Sequence, residues 1–141
     1  MESKTPRYHI IDEPKATKWD FLVMNPMVII FATMIVPIIW APPFAGRYWV
    51  PLVWICVNGY IMGSATFKRE VVTCLVGCLA LLAVFIGFAQ IPHEVIENTT
   101  IGWFNYLRLA LNTILFLTLL LAAFSQMKSF SLFQYIGEGR E

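Results

Sequence analysis

One apolar stretch near the C-terminus carries three polar side chains on a single helical face. Asn105, Arg108 and Asn112 are spaced i, i+3 and i+7, so on a helix they project from the same side within about two turns. Two interpretations stay open. Arg108 extends to the membrane surface, which costs little near a helix end, or it pairs with Glu94 or Glu97, with a partner subunit, or with an anionic substrate.

A fourth polar residue, Asn58, lies near the middle of another apolar run. An Asn at that depth is typical of an interhelical hydrogen bond. Together with Asn105, Arg108 and Asn112, it would instead line a path for a polar or anionic solute in an oligomer. Pro37 interrupts the first apolar run, where it removes a backbone hydrogen bond, and it is the candidate hinge.

Small residues form a second pattern, which we name the small-residue ridge. Its members are Gly59, Gly63, Gly77, Ala83 and Gly87. Helices that lack side-chain bulk approach one another closely, and the GxxxG spacing of the first two residues is typical of such contacts. The ridge serves either packing within one bundle or contact with another chain.

The sequence predicts no metal site, no cofactor and no enzymatic activity. Cys74 and Cys78 are spaced i, i+4, but neither His nor an acidic residue lies at matching depth to complete four ligands. In a four-helix topology with both termini cytoplasmic, His9 and His93 fall on opposite sides of the membrane, so they cannot share a metal or a haem. The Asp and Glu residues come without a nucleophile and base at a set spacing.

The composition excludes soluble folds and nucleic-acid binding. Of the 141 residues, 58% are hydrophobic and only 13% are charged, against about 25% charged in an ordinary soluble domain. The net charge of +1 provides no field that would attract nucleic acid.

The uncharged runs predict an all-α membrane protein with four transmembrane helices in an antiparallel bundle. A crossing needs about 20 mainly apolar residues, and four runs approach or exceed that length. Asn25 followed by Pro26 is typical of a helix N-cap and first helical residue. The expected helices cover about 21–42, 50–67, 70–91 and 103–128, between an N-terminal arm at 1–20 and a tail at 129–141.

Basic residues give the predicted orientation, with both termini cytoplasmic. Lys and Arg in short loops mark the cytoplasmic side. Eight of the ten basic residues fall on the side of the termini, and only Arg47 and Arg108 fall on the other side. The bias and the small size predict a multi-pass protein of a bacterial inner membrane.

The expected function is that of a structural or accessory subunit of a larger membrane complex. The general plan resembles the small subunits of secretion, transport and respiratory assemblies, which is an analogy of architecture. The expected partners are other membrane-protein subunits and lipid, with a homo-oligomer as one arrangement. The alternative is a small oligomeric transporter or channel for a polar or anionic solute.

Overall fold

The computed structural model describes residues 19–35, 46–92 and 102–138. Within these ranges the chain forms four α-helices, one short 3₁₀ turn and no strand. The turn covers Asp20–Leu22, and the helices are α1 (Pro26–Ile35), α2 (Gly46–Ile61), α3 (Phe67–Ala89) and α4 (Trp103–Glu138). The predicted all-α class is confirmed for these residues.

The first helix begins where the sequence predicts. Asn25 accepts a hydrogen bond at Oδ1 from the backbone N–H of Met27, at 2.9 Å, and its carbonyl accepts one from Val28. Pro26 takes the first helical position, where a backbone donor is not needed. The predicted cap is confirmed, whereas Pro37 and the rest of the first apolar run lie outside the described residues.

Helix α2 ends earlier than its apolar run because Gly63 turns the chain. Gly63 has a φ of 66°, which favours glycine. Its N–H donates to the carbonyl of Tyr60, and the N–H of Ser64 donates to that of Gly59, the pattern of a Schellman cap. Residues 62–66 then lead directly into α3, so α2 and α3 are neighbours in the bundle.

The other helix ends differ from the predicted ones because charged residues end an apolar run without ending a helix. Helix α2 begins at Gly46 with Pro51 inside it, α3 begins at Phe67, and α4 continues past Lys128 to Glu138. Charged and polar residues end the uncharged run, yet Lys, Arg and Glu are good helix formers. The limits of an apolar run therefore mark where a membrane would end and not where the helix ends.

Helices α3 and α4 are antiparallel and make the most extensive contact in the bundle. Glu70, early in α3, contacts Gln126, late in α4, whereas Gly77 meets Thr118. The apolar core lies along this seam and is closed by α1 and α2. It includes Ile29, Ile55, Leu81, Leu111, Leu115 and Leu119.

Two of the helices are long and apolar enough to cross a membrane. Helix α3 has 23 residues and therefore measures about 34 Å, against a hydrocarbon core of about 30 Å. Its most apolar stretch has a mean hydropathy of 2.7, and that of α4 has 2.0. Helices α1 and α2, at 10 and 16 described residues, are shorter.

Two glycines of α3 should respond oppositely to the same substitution. A Cβ on Gly77 would collide with the side chain of Thr118, whereas a Cβ on Gly87 meets no atom of the described residues within 4 Å. We expect Gly77→Ala to lower the free energy of unfolding by about 1–3 kcal/mol, as overpacking does. Gly87→Ala should leave it unchanged or raise it by up to about 1 kcal/mol through helix propensity.

Denaturant unfolding of both variants in the same detergent measures this difference. Adding Thr118→Ala to Gly77→Ala should restore part of the lost stability, because it removes the atoms that the new methyl group meets. Equal stability of Gly77→Ala and Gly87→Ala would contradict the close approach of α3 to α4.

Candidate functional site

A cluster of buried polar side chains lies at the end of the bundle where α2 gives way to α3. We name it the Glu70 cluster. Asn58 is 2% exposed, while Glu70 and Gln126 are 0% exposed. These three side chains come from α2, α3 and α4, and Ser64 and Thr66 from the connecting loop complete the cluster.

Two amide side chains form a hydrogen-bond chain whose direction is fixed. The backbone N–H of Met24 donates to Oδ1 of Asn58 at 2.8 Å, so Nδ2 must face the opposite way. That nitrogen donates to the Met24 carbonyl at 3.0 Å and to Oε1 of Gln126 at 3.3 Å. Nε2 of Gln126 then donates to the Ile55 carbonyl and to Oε2 of Glu70, each at 2.7 Å. Every donor of both amides is therefore used.

The other carboxyl oxygen of Glu70 faces hydroxyl groups. Ser64 donates a short hydrogen bond from Oγ to Oε1, and Thr66 donates to the same oxygen at 2.7 Å. The Ser64 hydroxyl also lies 3.2 Å from Oγ of Ser129, which brings α4 into this side of the cluster. Because Glu70 lies in the first turn of α3, the helix dipole also favours a negative charge there.

Gly59 makes room for this arrangement. A Cβ at this position would lie closer to Oε2 of Glu70 and to Nε2 of Gln126 than real atoms approach. The backbone of α2 therefore packs directly against the hydrogen bond that Gln126 of α4 donates to Glu70 of α3. In the small-residue ridge, Gly59 thus serves packing within the fold.

The other members of the small-residue ridge lie on different surfaces. Gly77 faces Thr118 of α4, and Gly63 forms the cap of α2. Ala83 and Gly87 are exposed on α3. The five residues therefore do not form one continuous surface.

The structure separates the four residues of the predicted polar face. Asn58 belongs to the Glu70 cluster, whereas Asn105 and Arg108 are exposed near the start of α4. Asn112 lies about 21 Å along the α4 axis from Gln126, at a rise of 1.5 Å per residue. Its Oδ1 is buried and has no hydrogen-bond partner among the residues that the structure describes. Asn58, which is hydrogen-bonded to Gln126, therefore lies at a different level of the bundle from Asn112.

Several predicted features fall outside the described residues. These are the hinge residue Pro37, both histidines, and the acidic residues Glu94 and Glu97 that were considered as partners of Arg108. The three cysteines are described and free, with Cys74 buried, Cys56 half-buried and Cys78 exposed. Within the described ranges, no three His, Cys, Asp or Glu residues come together as metal ligands would.

Glu70, Gln126, Ser64 and Thr66 are members of the cluster that the sequence pattern did not indicate. The predicted helices place every acidic residue at or beyond a helix end. Glu70 is at a helix end yet fully buried, because the short loop after Gly63 folds over it. One signal was available: Gln126 carries a primary amide inside an uncharged apolar run, and such a group needs a partner in a bundle.

An apolar groove lies near the opposite end of the bundle. It has a volume of about 410 Å³ and is lined by the start of α2, the second half of α3 and Leu111 of α4. Tyr48, Trp49 and Cys78 contribute to its walls. The groove and the Glu70 cluster share no residue.

The Glu70 cluster is built to hold helices together. In the carboxylate form, Glu70 accepts bonds from three donors, and the two amides have no unused N–H group. Buried polar groups that satisfy one another in this way rigidify a core and specify its packing. No family model, curated protein or solved structure matches this chain.

Removing the central amide tests this role. Gln126→Leu leaves Oε2 of Glu70 without its donor and one N–H of Asn58 without its acceptor. We expect the free energy of unfolding to fall by about 1–3 kcal/mol for each stranded group. Thermal and denaturant unfolding of the detergent-solubilised protein measure the loss.

Gln134→Leu is the matched control, because Gln134 lies on the same helix and is exposed. It should change stability by less than about 0.5 kcal/mol, as surface substitutions do. If the two variants were equally stable, the cluster would not hold α3 and α4 together.

Proposed function

We propose that this chain is a multi-pass membrane protein that serves as a structural or accessory subunit of a larger membrane complex. In this proposal the chain crosses a bacterial inner membrane four times, with both termini in the cytoplasm. The distribution of basic residues supports the orientation. The partners are other membrane-protein subunits and lipid.

The observation that carries the proposal is the exposure of the two longest apolar helices. Only 17% of the most apolar stretch of α3, and 33% of that of α4, is buried by the rest of the chain. A core helix of a soluble protein would be mostly covered. Apolar surface on this scale needs lipid or another protein against it.

The Glu70 cluster supports a structural role over turnover of a substrate. A transport or catalytic site needs polar groups that can bind something other than the protein itself. The donors of Asn58 and Gln126 are instead used by Met24, Ile55 and Glu70. Such an arrangement is typical of a subunit with a structural role.

The exposed half of the small-residue ridge is the proposed contact with a partner. Ala83 and Gly87 are spaced i, i+4 on the uncovered side of α3, and Gly87 has open space around its Cα. A neighbouring transmembrane helix can approach closely at such positions. Gly77, by contrast, is already occupied by Thr118.

One observation favours the alternative, an oligomeric transporter or channel. Oδ1 of Asn112 is a buried acceptor without a partner in the described ranges, and it lies one turn from Arg108 on the same helix. A buried acceptor without a partner costs free energy. A solute or a second copy of the chain would supply the missing donor.

Extraction in mild detergent, followed by mass measurement of the intact particle, separates these functions. Recovery with different membrane proteins supports the subunit proposal. A pure symmetric oligomer would instead support the transporter, and a lone monomer would contradict both.

Substitutions on α3 test where the partner binds. We expect Ala83→Leu and Gly87→Leu to reduce recovery of the partner about tenfold, which corresponds to about 1.4 kcal/mol, while the fold stays intact. Quantitative mass spectrometry of the co-purified proteins measures the loss.

Ala89→Leu adds the same bulk at an exposed position about 120° around the helix from Ala83. It should leave recovery of the partner unchanged. A loss of partner in all three variants, or in none, would contradict the assignment of the contact to this side of α3.

A further inference from the structure

The turn that precedes α1 exposes a compact group of apolar side chains. Trp19 is 57% exposed, Phe21 78% and Leu22 43%. The rings of Trp19 and Phe21 stack with centroids 6.4 Å apart, and the N–H of Leu22 donates to the Trp19 carbonyl at 2.9 Å. These contacts order the turn, and the described part of the chain leaves its apolar surface exposed.

The Glu70 cluster fixes this turn to the bundle. Asn58 binds both the N–H and the carbonyl of Met24, two residues after Leu22. Because Asn58 is itself held by Gln126, the backbone of Met24 is attached to a rigid point. The turn also contacts α2 directly. Its position is therefore set by the bundle.

The depth of the turn follows from this attachment. Met24 lies beside Asn58, one turn before α2 ends. At the same end, α3 begins with the exposed cations Lys68 and Arg69, which mark the limit of an apolar span. Trp19 lies five positions before Met24, and the turn contacts α2. The turn therefore lies at the same end of the bundle as these two cations.

We propose that the Trp19–Leu22 turn is a membrane-interface anchor that lies at the boundary between phospholipid headgroups and acyl chains. The inference rests on the membrane insertion contained in the proposed function. An indole ring suits this boundary because its body is apolar and its N–H needs a polar partner. Phe21 and Leu22 add apolar area, and the exposed cations Lys68 and Arg69 at the same end of the bundle favour phosphate groups.

Fluorescence quenching by brominated lipids tests the anchor. The full-length protein and its Trp19→Phe variant are reconstituted into phosphatidylcholine vesicles whose acyl chains carry bromine near the carbonyl or near the chain end. The difference between the two emission spectra reports Trp19 alone. We expect a blue-shifted difference spectrum that loses more intensity to bromine near the carbonyl than to bromine near the chain end.

Flotation of the vesicles separates failure of the anchor from failure of membrane insertion. Protein that does not float with the lipid overturns the proposed function and the anchor together. Protein that floats, with Trp19 emitting as in water or quenched most near the chain end, overturns only the anchor. A Trp19 shielded from both lipids by a co-purified protein also overturns it, because the turn would then be a protein contact.

Discussion

The fold depends on one amide side chain that satisfies three polar groups of two other helices at once. Gln126 accepts from Asn58 and donates to Glu70 and to the backbone of α2. Each of those groups would be costly to bury alone. Because they are buried together, the same interactions fix where α2, α3 and α4 meet. The close approach of Gly59, and the attachment of Met24 before α1, both follow from that point.

Sequence patterns predicted the helices well and their limits less well. The all-α class and the cap at Asn25 follow from local chemistry that needs no knowledge of neighbours. The end of α4 does not, since nothing in the apolar pattern stops a helix at Lys128. The burial of Glu70 could not be predicted either, because it results from a tertiary contact. A carboxyl group at a helix end is exposed in most proteins, whereas this one is covered by the loop that follows Gly63 and by contacts with Gln126 and Gly59.

The inward-facing and outward-facing residues of the bundle have different roles. Inside, Gly77 against Thr118 and the Glu70 cluster specify one packing. Outside, α3 presents a long apolar surface that the other described helices leave uncovered. The spacing of small residues along α3 does not distinguish these two roles. Only the structure separates Gly77, which faces inward, from Gly87, which faces open space.

The order of synthesis gives the Glu70 cluster a further consequence. Asn58 and Glu70 leave the ribosome well before Gln126, which lies in the last helix. Until α4 is synthesised, Oε2 of Glu70 lacks the donor that Gln126 later provides. The hydrogen bond against which Gly59 packs in the folded chain is then not yet formed. Before α4 is synthesised, the nascent chain therefore contains polar groups in α2 and α3 that lack their partner in the folded protein. Arrival of α4 closes the assembly, and a chain truncated before Gln126 would lack the residue that joins the other helices.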